Sequence, residues 1–118
     1  MNGHENCIFC KIVAGQIPSR KVYEDDDMLA FHDIHPKAPV HFLIIPKVHV
    51  ESLADCDASH GGVLAKMLLK APELARETGC RNGFRTVINT GPDGGQEVYH
   101  LHLHVMGGPR TEWKAALP

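Results

Sequence analysis

The sequence predicts one α+β domain: a mainly antiparallel sheet of five strands carrying one long and one short helix. Three observations lead there. The chain has 118 residues, enough for one real core but too few to divide comfortably into two. Only one stretch keeps helical apolar spacing over several turns, through Leu64, Met67, Leu68, Ala71, Leu74 and Ala75. Several connections between the other apolar runs are too short for parallel crossovers, so neighbouring strands must run antiparallel.

Residues 8–14 are apolar-rich and read as a helical turn or two, ended by Gly15 and Pro18. Residues 22–24 and 28–34 read as a hairpin around the acidic turn Asp25-Asp26-Asp27, with Leu29 and Phe31 alternating against Ala30 and His32. The run 40–45, V-H-F-L-I-I, is nearly continuous apolar and closed by Pro46, the pattern of a central strand covered on both faces. A single helix covers one face, which makes dimerisation through the sheet or its edge a reasonable expectation. The long helix is expected from Ser59 as N-cap to about Gly79, with a kink or break at Pro72, which lacks a backbone donor. Residues 84–89 and 98–106 supply the last two strands, joined by the glycine-rich turn G-P-D-G-G at 91–95. Residues 107–118 read as an irregular tail.

The 12 Lys and Arg against 14 Asp and Glu give a net charge of −2, which removes the electrostatic attraction that dominates non-specific binding to a phosphate backbone. A nucleic-acid polymer is therefore an unexpected partner, whereas a single nucleotide is compatible. No apolar run approaches the roughly 20 residues that span a bilayer, and M-N-G-H-E-N-C lacks the basic and apolar regions of a signal peptide, so a cytoplasmic location is expected. That compartment keeps thiols reduced, so the four cysteines are not expected to form a disulfide framework. Nine histidines are many for this length and point to histidine chemistry.

Three of them fall in His100-Leu101-His102-Leu103-His104-Val105. On a strand, alternate side chains share a face, which aligns the histidines and turns Leu101, Leu103 and Val105 to the core. A rise of about 3.3 Å per residue separates His100 from His104 by some 13 Å, a poor fit to one tetrahedral ion. A merely solvated strand face would more naturally use Lys, Thr or Glu. What remains is a row of histidines with different tasks, beside a glycine-rich turn able to bring backbone N–H groups to an anion. Phosphate chemistry suits that arrangement: a neutral imidazole attacks phosphorus, and a second one donates hydrogen bonds to the oxygens that gain charge.

Read with F-H-D-I at 31–34, A-P-V-H-F-L at 38–43, I-P-K at 45–47, N-T-G at 89–91 and D-G-G-Q at 93–96, the sequence H-L-H-L-H-V resembles the histidine triad superfamily of nucleotide hydrolases and transferases. The similarity runs from about Cys7 to Trp113. The ending Gly107-Gly108 followed by Trp113 is similar to the Hint branch of purine nucleoside phosphoramidases more than to the dinucleoside polyphosphate hydrolases. The resemblance implies a homodimer with a continuous sheet, and a purine nucleoside monophosphate or AMP conjugate as ligand. It implies His102 as nucleophile, His104 as phosphate ligand, and Asp33 as acceptor for both ribose hydroxyls. Asn89 with the turn Gly95-Gln96-Glu97 would hold the phosphate and its leaving group, and Phe9, Ile17, Phe31, His32 and Ile34 would form the base slot. Glu97 stands where many Hint members carry serine. His41, in the buried strand, reads as a hydrogen-bonded core residue near the pocket rather than a ligand.

Cys7 and Cys10 form a C-x-x-C that chance, redox chemistry or half a zinc site would equally explain. A thioredoxin-like reading needs a βαβ context that is missing here. The resemblance, through bacterial members with this C-x-x-C, implies a structural zinc completed by His49 and His100, with no cofactor needed for the chemistry. The expected activity is hydrolysis of purine nucleoside 5′-phosphoramidates through a nucleotidyl-histidine. Its rivals are a dinucleoside polyphosphate hydrolase or nucleotidyl transferase of the same superfamily, and a nucleotide-binding regulatory module without turnover.

Overall fold

The computed structural model describes residues 3–113. Strand β1 (Lys21–Glu24) and strand β2 (Met28–His32) form the expected hairpin. Asp25 shapes its turn, accepting from the backbone N–H groups of Asp27 and Met28 at 2.8 and 2.9 Å and from the Tyr23 hydroxyl at 2.8 Å. Strand β3 (Val40–Pro46) is central, flanked by β2 on one side and by β5 (Leu103–Gly107) on the other, and β4 (Phe84–Val87) closes the edge. All the pairings are antiparallel. The five-stranded α+β architecture is the one the sequence predicts.

Alternation along the strands divides the core in two. Ala30, Phe42, Ile44, Leu103 and Val105 face helix α2 (Gly61–Glu77) and meet its Met67, Ala71, Leu74 and Ala75. Leu29, Phe31, Leu43 and Ile45 point the other way and meet Phe9 and Ile12 of helix α1 (Ile8–Val13). Each of these large side chains contributes about 1.5–3 kcal/mol on burial. Strand β3 is thus covered on both faces by its own chain. The inference that its second face needs a partner subunit loses its premise.

Several boundaries differ from expectation. The N-cap of α2 is His60, with no side-chain cap bond, and it ends a 3-10 turn that Asp57 caps by accepting from the N–H of Ser59, which lies inside that turn. Helix α2 runs through Pro72 without a break. Leu68, whose carbonyl would have taken the missing N–H, is 51% exposed, so water reaches that turn. Leu64 and Leu68 therefore belong to the flank of α2, not to its buried stripe. Strand β2 ends at His32 because Asp33 accepts from the His35 N–H in a local turn.

The last strand begins only at Leu103, against an expected start at residue 98. Apolar alternation continues upstream, but the backbone bonds there go elsewhere: the Leu101 N–H donates to the Val50 carbonyl at 2.8 Å. Strands β4 and β5 do pair, yet residues 88–102 join them as a long loop around a 3-10 turn at Pro92–Gly94. Gly91 and Gly95 adopt φ of 70° and 79° at its two ends, where a side chain would be strained. Of the expected irregular tail, Arg110–Glu112 form another 3-10 turn, and residues 114–118 lie outside the described residues. No helix among the described residues is long and apolar enough to cross a membrane.

Candidate active site

A cleft of about 970 Å³ opens between α1, the end of β2 and the loop after β4. Phe9, Ile17, Phe31, His32, Asp33 and Ile34 line one side of it, with Phe9 and Phe31 buried and Ile34 exposed at the lip. Asn89, Gly95 and Glu97 line the other side, and His102 and His104 stand between. Of the residues expected in the nucleotide pocket, Gln96 alone does not line the cleft. It is buried and holds the loop instead. Its amide nitrogen donates to the Glu51 and Val98 carbonyls at 2.6 and 3.1 Å, and its oxygen accepts from the Gly91 N–H at 2.9 Å. Glu97 is exposed but faces the cleft, where its charge opposes the lowering of the His102 pKa.

Hydrogen-bond logic fixes the histidine tautomers. The Nδ1 of His102 lies 2.8 Å from the His100 carbonyl, and a carbonyl only accepts, so Nδ1 carries the proton and Nε2 keeps a lone pair. At His41 the order is reversed. The Lys37 N–H donates to His41 Nδ1 at 3.0 Å, which places the His41 proton on Nε2. That proton is donated to His104 Nδ1 at 3.0 Å, and His104 in turn carries its own proton on Nε2. Asp33 Oδ2 lies 3.4 Å from His41 Nε2. The rings of His102 and His104 are 4.9 Å apart, so a lone pair and an N–H donor stand side by side.

Burial keeps these rings neutral. It is the first cause lowering the pKa of His102, His41 and His104, and for His104, with the neighbouring imidazoles of His102 and His41 adding to it, the value falls to about 4. Asp33, His41 and His104 bring ligand atoms within 4.8 Å of one another, as a metal site would. The tautomer argues against one. An imidazole bound to metal through Nε2 must carry its proton on Nδ1, and here that atom faces the Lys37 N–H. His41 and His104 are a hydrogen-bonded pair, with the Asp33 carboxylate 3.4 Å from the shared His41 Nε2.

A second cluster does suit a metal. Cys7 Sγ, Cys10 Sγ and the Nδ1 atoms of His49 and His100 lie within 4.8 Å of one another. Individual S···N separations are 3.3, 3.3 and 3.5 Å, against about 3.5 Å between ligands on a tetrahedral zinc. His100 Nε2–H donates to the Pro46 carbonyl at 2.8 Å, which leaves Nδ1 unprotonated and aimed at the sulfurs. Burial first, then the hydrogen bond and charge of Cys7, push the Cys10 thiol up to about 11. A dication would reverse that preference by binding the thiolates. His100 and His102 are thus not members of one paired strand; they sit in the loop just before β5, and only His104 belongs to the ladder.

Sequence reasoning did not single out Arg20, His35 and Lys37, which also line the cleft, and it gave His41 no link to His104. Exposed polar side chains carry no periodic signal, but a histidine in the buried central strand could have been paired with the triad, which the register Leu43↔His104 brings alongside it. Trp113 is buried within its own chain beside Ala38 and Met106, its indole N–H donating to the Gly108 carbonyl at 3.0 Å.

The family model described as "Scavenger mRNA decapping enzyme C-term binding" matches residues 6–115. Protein HitA of Neisseria gonorrhoeae is 57% identical over 105 residues, which span 89% of this chain and 98% of that one. The 14 kDa zinc-binding protein of Brassica juncea is 47% identical over 108 residues, 90% of this chain and 96% of that one. The solved structure of a HIT family hydrolase from Legionella pneumophila Philadelphia 1 superposes with a TM-score of 0.86 at 48% identity, covering 92% of this chain and 97% of that chain. Together with the five-stranded fold and the run His100-Leu101-His102-Leu103-His104, two of whose histidines line the cleft, these matches show that the chain belongs to the histidine triad (HIT) superfamily.

Proposed function

We propose that the chain is a Hint-like hydrolase of purine nucleoside 5′-phosphoramidates, acting through a covalent nucleotidyl-His102. The observation that carries this reading is the His102 tautomer: its Nδ1–H is engaged by the His100 carbonyl, and Nε2 presents a lone pair beside a histidine donor in an apolar cleft. The base lies between Phe9, Ile17, Phe31, His32 and Ile34, and Asp33 accepts from the ribose hydroxyls. His102 Nε2 attacks phosphorus, forming a P–N bond to imidazole as the P–N bond to the amine breaks. The amine departs with a proton taken from water at the open mouth, beside Glu97, and the water that attacks in the second step returns one to solvent. Nε2–H of His104 donates to the phosphate oxygens as charge builds on them, and Asn89 and Gly95 flank them. Water then attacks the nucleotidyl-histidine, releasing the nucleoside monophosphate and restoring the ring.

Cys7, Cys10, His49 and His100 hold a structural zinc, which supplies a cross-link and no step of the chemistry. The name of the Brassica juncea relative, a zinc-binding protein, and the donor geometry support this assignment. A homodimer is part of the reading: β4 is an edge strand, and Leu68, Leu69 and Phe84 are exposed large apolar side chains. The ligand is a purine nucleoside monophosphate or its conjugate, with neither nucleic-acid polymer nor membrane as partner, and the place of action is the cytoplasm.

The test compares wild type with His102→Ala on an adenosine phosphoramidate and on diadenosine polyphosphates. Rapid release of AMP from the phosphoramidate by wild type alone supports the reading. Equal rates for the two proteins end the catalytic role of His102, faster cleavage of the polyphosphates moves the chain to the dinucleoside polyphosphate branch, and tight AMP binding without turnover makes it a binding module.

A further inference from the structure

Helix α1 is six residues long, far below the length at which a helix holds itself in water. Its hold on the sheet comes from two buried side chains, Phe9 and Ile12, and from the two cysteines at its start. Cys7 is the N-cap, its sulfur accepting from the Cys10 N–H at 3.3 Å, and both sulfurs lie against histidines far away in sequence. Phe9 sits between those cysteines and projects into the cleft. Its ring meets Phe31 edge-on at 5.5 Å, His100 at 5.9 Å and His102 at 5.2 Å. One short helix therefore carries half of the metal ligands, a wall of the base slot and a support for the nucleophile.

His100 makes the second link. Its ring is held by Pro46 and the sulfurs, while its carbonyl accepts the proton that decides the His102 tautomer. Residues 100–102 lie outside the β ladder, and the peptide that carries that carbonyl is held at its other end by the Leu101 N–H, which donates to the carbonyl of Val50, the neighbour of His49, at 2.8 Å. The core on the α2 side includes no residue of α1 or of the Cys–His cluster.

We infer that the Cys7–Cys10–His49–His100 site is a positioning device for the nucleotide cleft: the metal sets the Phe9 wall and the orientation of His102, and its loss disables the cleft while the sheet and α2 stay folded. This inference rests on the proposed zinc site and on His102 as nucleophile. A cross-link that merely adds global stability behaves differently, because its removal lowers the unfolding midpoint and leaves the folded molecules fully competent.

The experiment strips zinc from purified wild type with a chelator and, as an independent perturbation, uses His49→Asn, which removes a ligand outside both α1 and the triad. Four quantities are read on each sample: zinc per chain, far-ultraviolet circular dichroism, AMP affinity by calorimetry, and the ¹⁵N imidazole spectrum of His102. Metal-free protein is expected to keep its folded spectrum, to bind AMP about tenfold or more weakly, in line with losses seen on disrupting outer-shell partners, and to lose the single Nδ1–H tautomer. Added zinc should restore wild type. Folded, metal-free protein with unchanged AMP affinity and tautomer overturns the inference, and so does unfolding of the entire domain on zinc removal. Wild type isolated from zinc-replete cells without any metal removes the zinc assignment and this inference together, while the comparison with His102→Ala still judges the hydrolase reading. If His102→Ala is as active as wild type, the hydrolase reading fails, and AMP affinity still decides whether the metal positions the slot.

Discussion

His41 shows how one side chain in the central strand can decide what a neighbour does. Its Nδ1 is occupied by the Lys37 N–H, so its remaining proton must go to His104, and His104 must then offer a donor to the cleft. His41→Phe removes both links. We expect turnover to fall at least about tenfold and stability to drop by about 1–3 kcal/mol for the polar groups left without partners, measured by steady-state kinetics and urea unfolding. The same burial has a pH signature. The pKa values of His104 and His41 lie below the usual imidazole value in the folded state, His104 at about 4. The unfolded chain therefore binds more protons at mildly acid pH. Stability from these sites is complete above about pH 6.5 and is lost as the pH falls from there toward 4. Urea midpoints measured across this window should decline with acid, and a flat profile would show that neither ring is buried as described.

At the scale of elements, the end of β5 is held by close backbone approach. A Cβ at Gly107 would overlap the sulfur of Cys80, and one at Gly108 would lie 2.8 Å from the Pro39 ring. Gly107→Ala should cost about 1–3 kcal/mol by overpacking, and adding Cys80→Ala should recover part of that loss in the urea midpoint. The paired glycines were legible in the sequence, but the sulfur that requires the first of them is 27 positions upstream and carries no local signal. The strands themselves were legible because alternation and turn residues are local. The start of β5 was not, because Leu101 and Leu103 are equally buried whether or not their backbone joins the ladder, and only the Val50 carbonyl decides it. The cap of α2 failed for a similar reason: Asp57 and Ser59 are both good caps, and the 3-10 turn that Asp57 caps puts His60 at the start of the helix.

For the whole molecule, two apolar layers on one sheet divide the labour: α2 anchors one face, and α1 builds the cleft on the other. The proposed zinc ligands come from three separate places, α1, the segment after β3 and the loop before β5, so no local pattern beyond C-x-x-C announced them; they were legible only through the resemblance. The proposed homodimer is tested by sedimentation. Wild type should sediment at twice the chain mass, and Phe84→Asp on the exposed edge strand should shift it toward the monomer; a wild-type monomer at micromolar concentration would contradict the dimer. The central claim is the nucleotidyl-histidine, and the most direct measurement is mass spectrometry of the protein quenched under alkaline denaturing conditions during turnover of an adenosine phosphoramidate. The account expects one AMP per chain on the peptide containing His102, absent in His102→Ala. Steady hydrolysis by wild type with AMP on no histidine, or AMP on another residue, would contradict it.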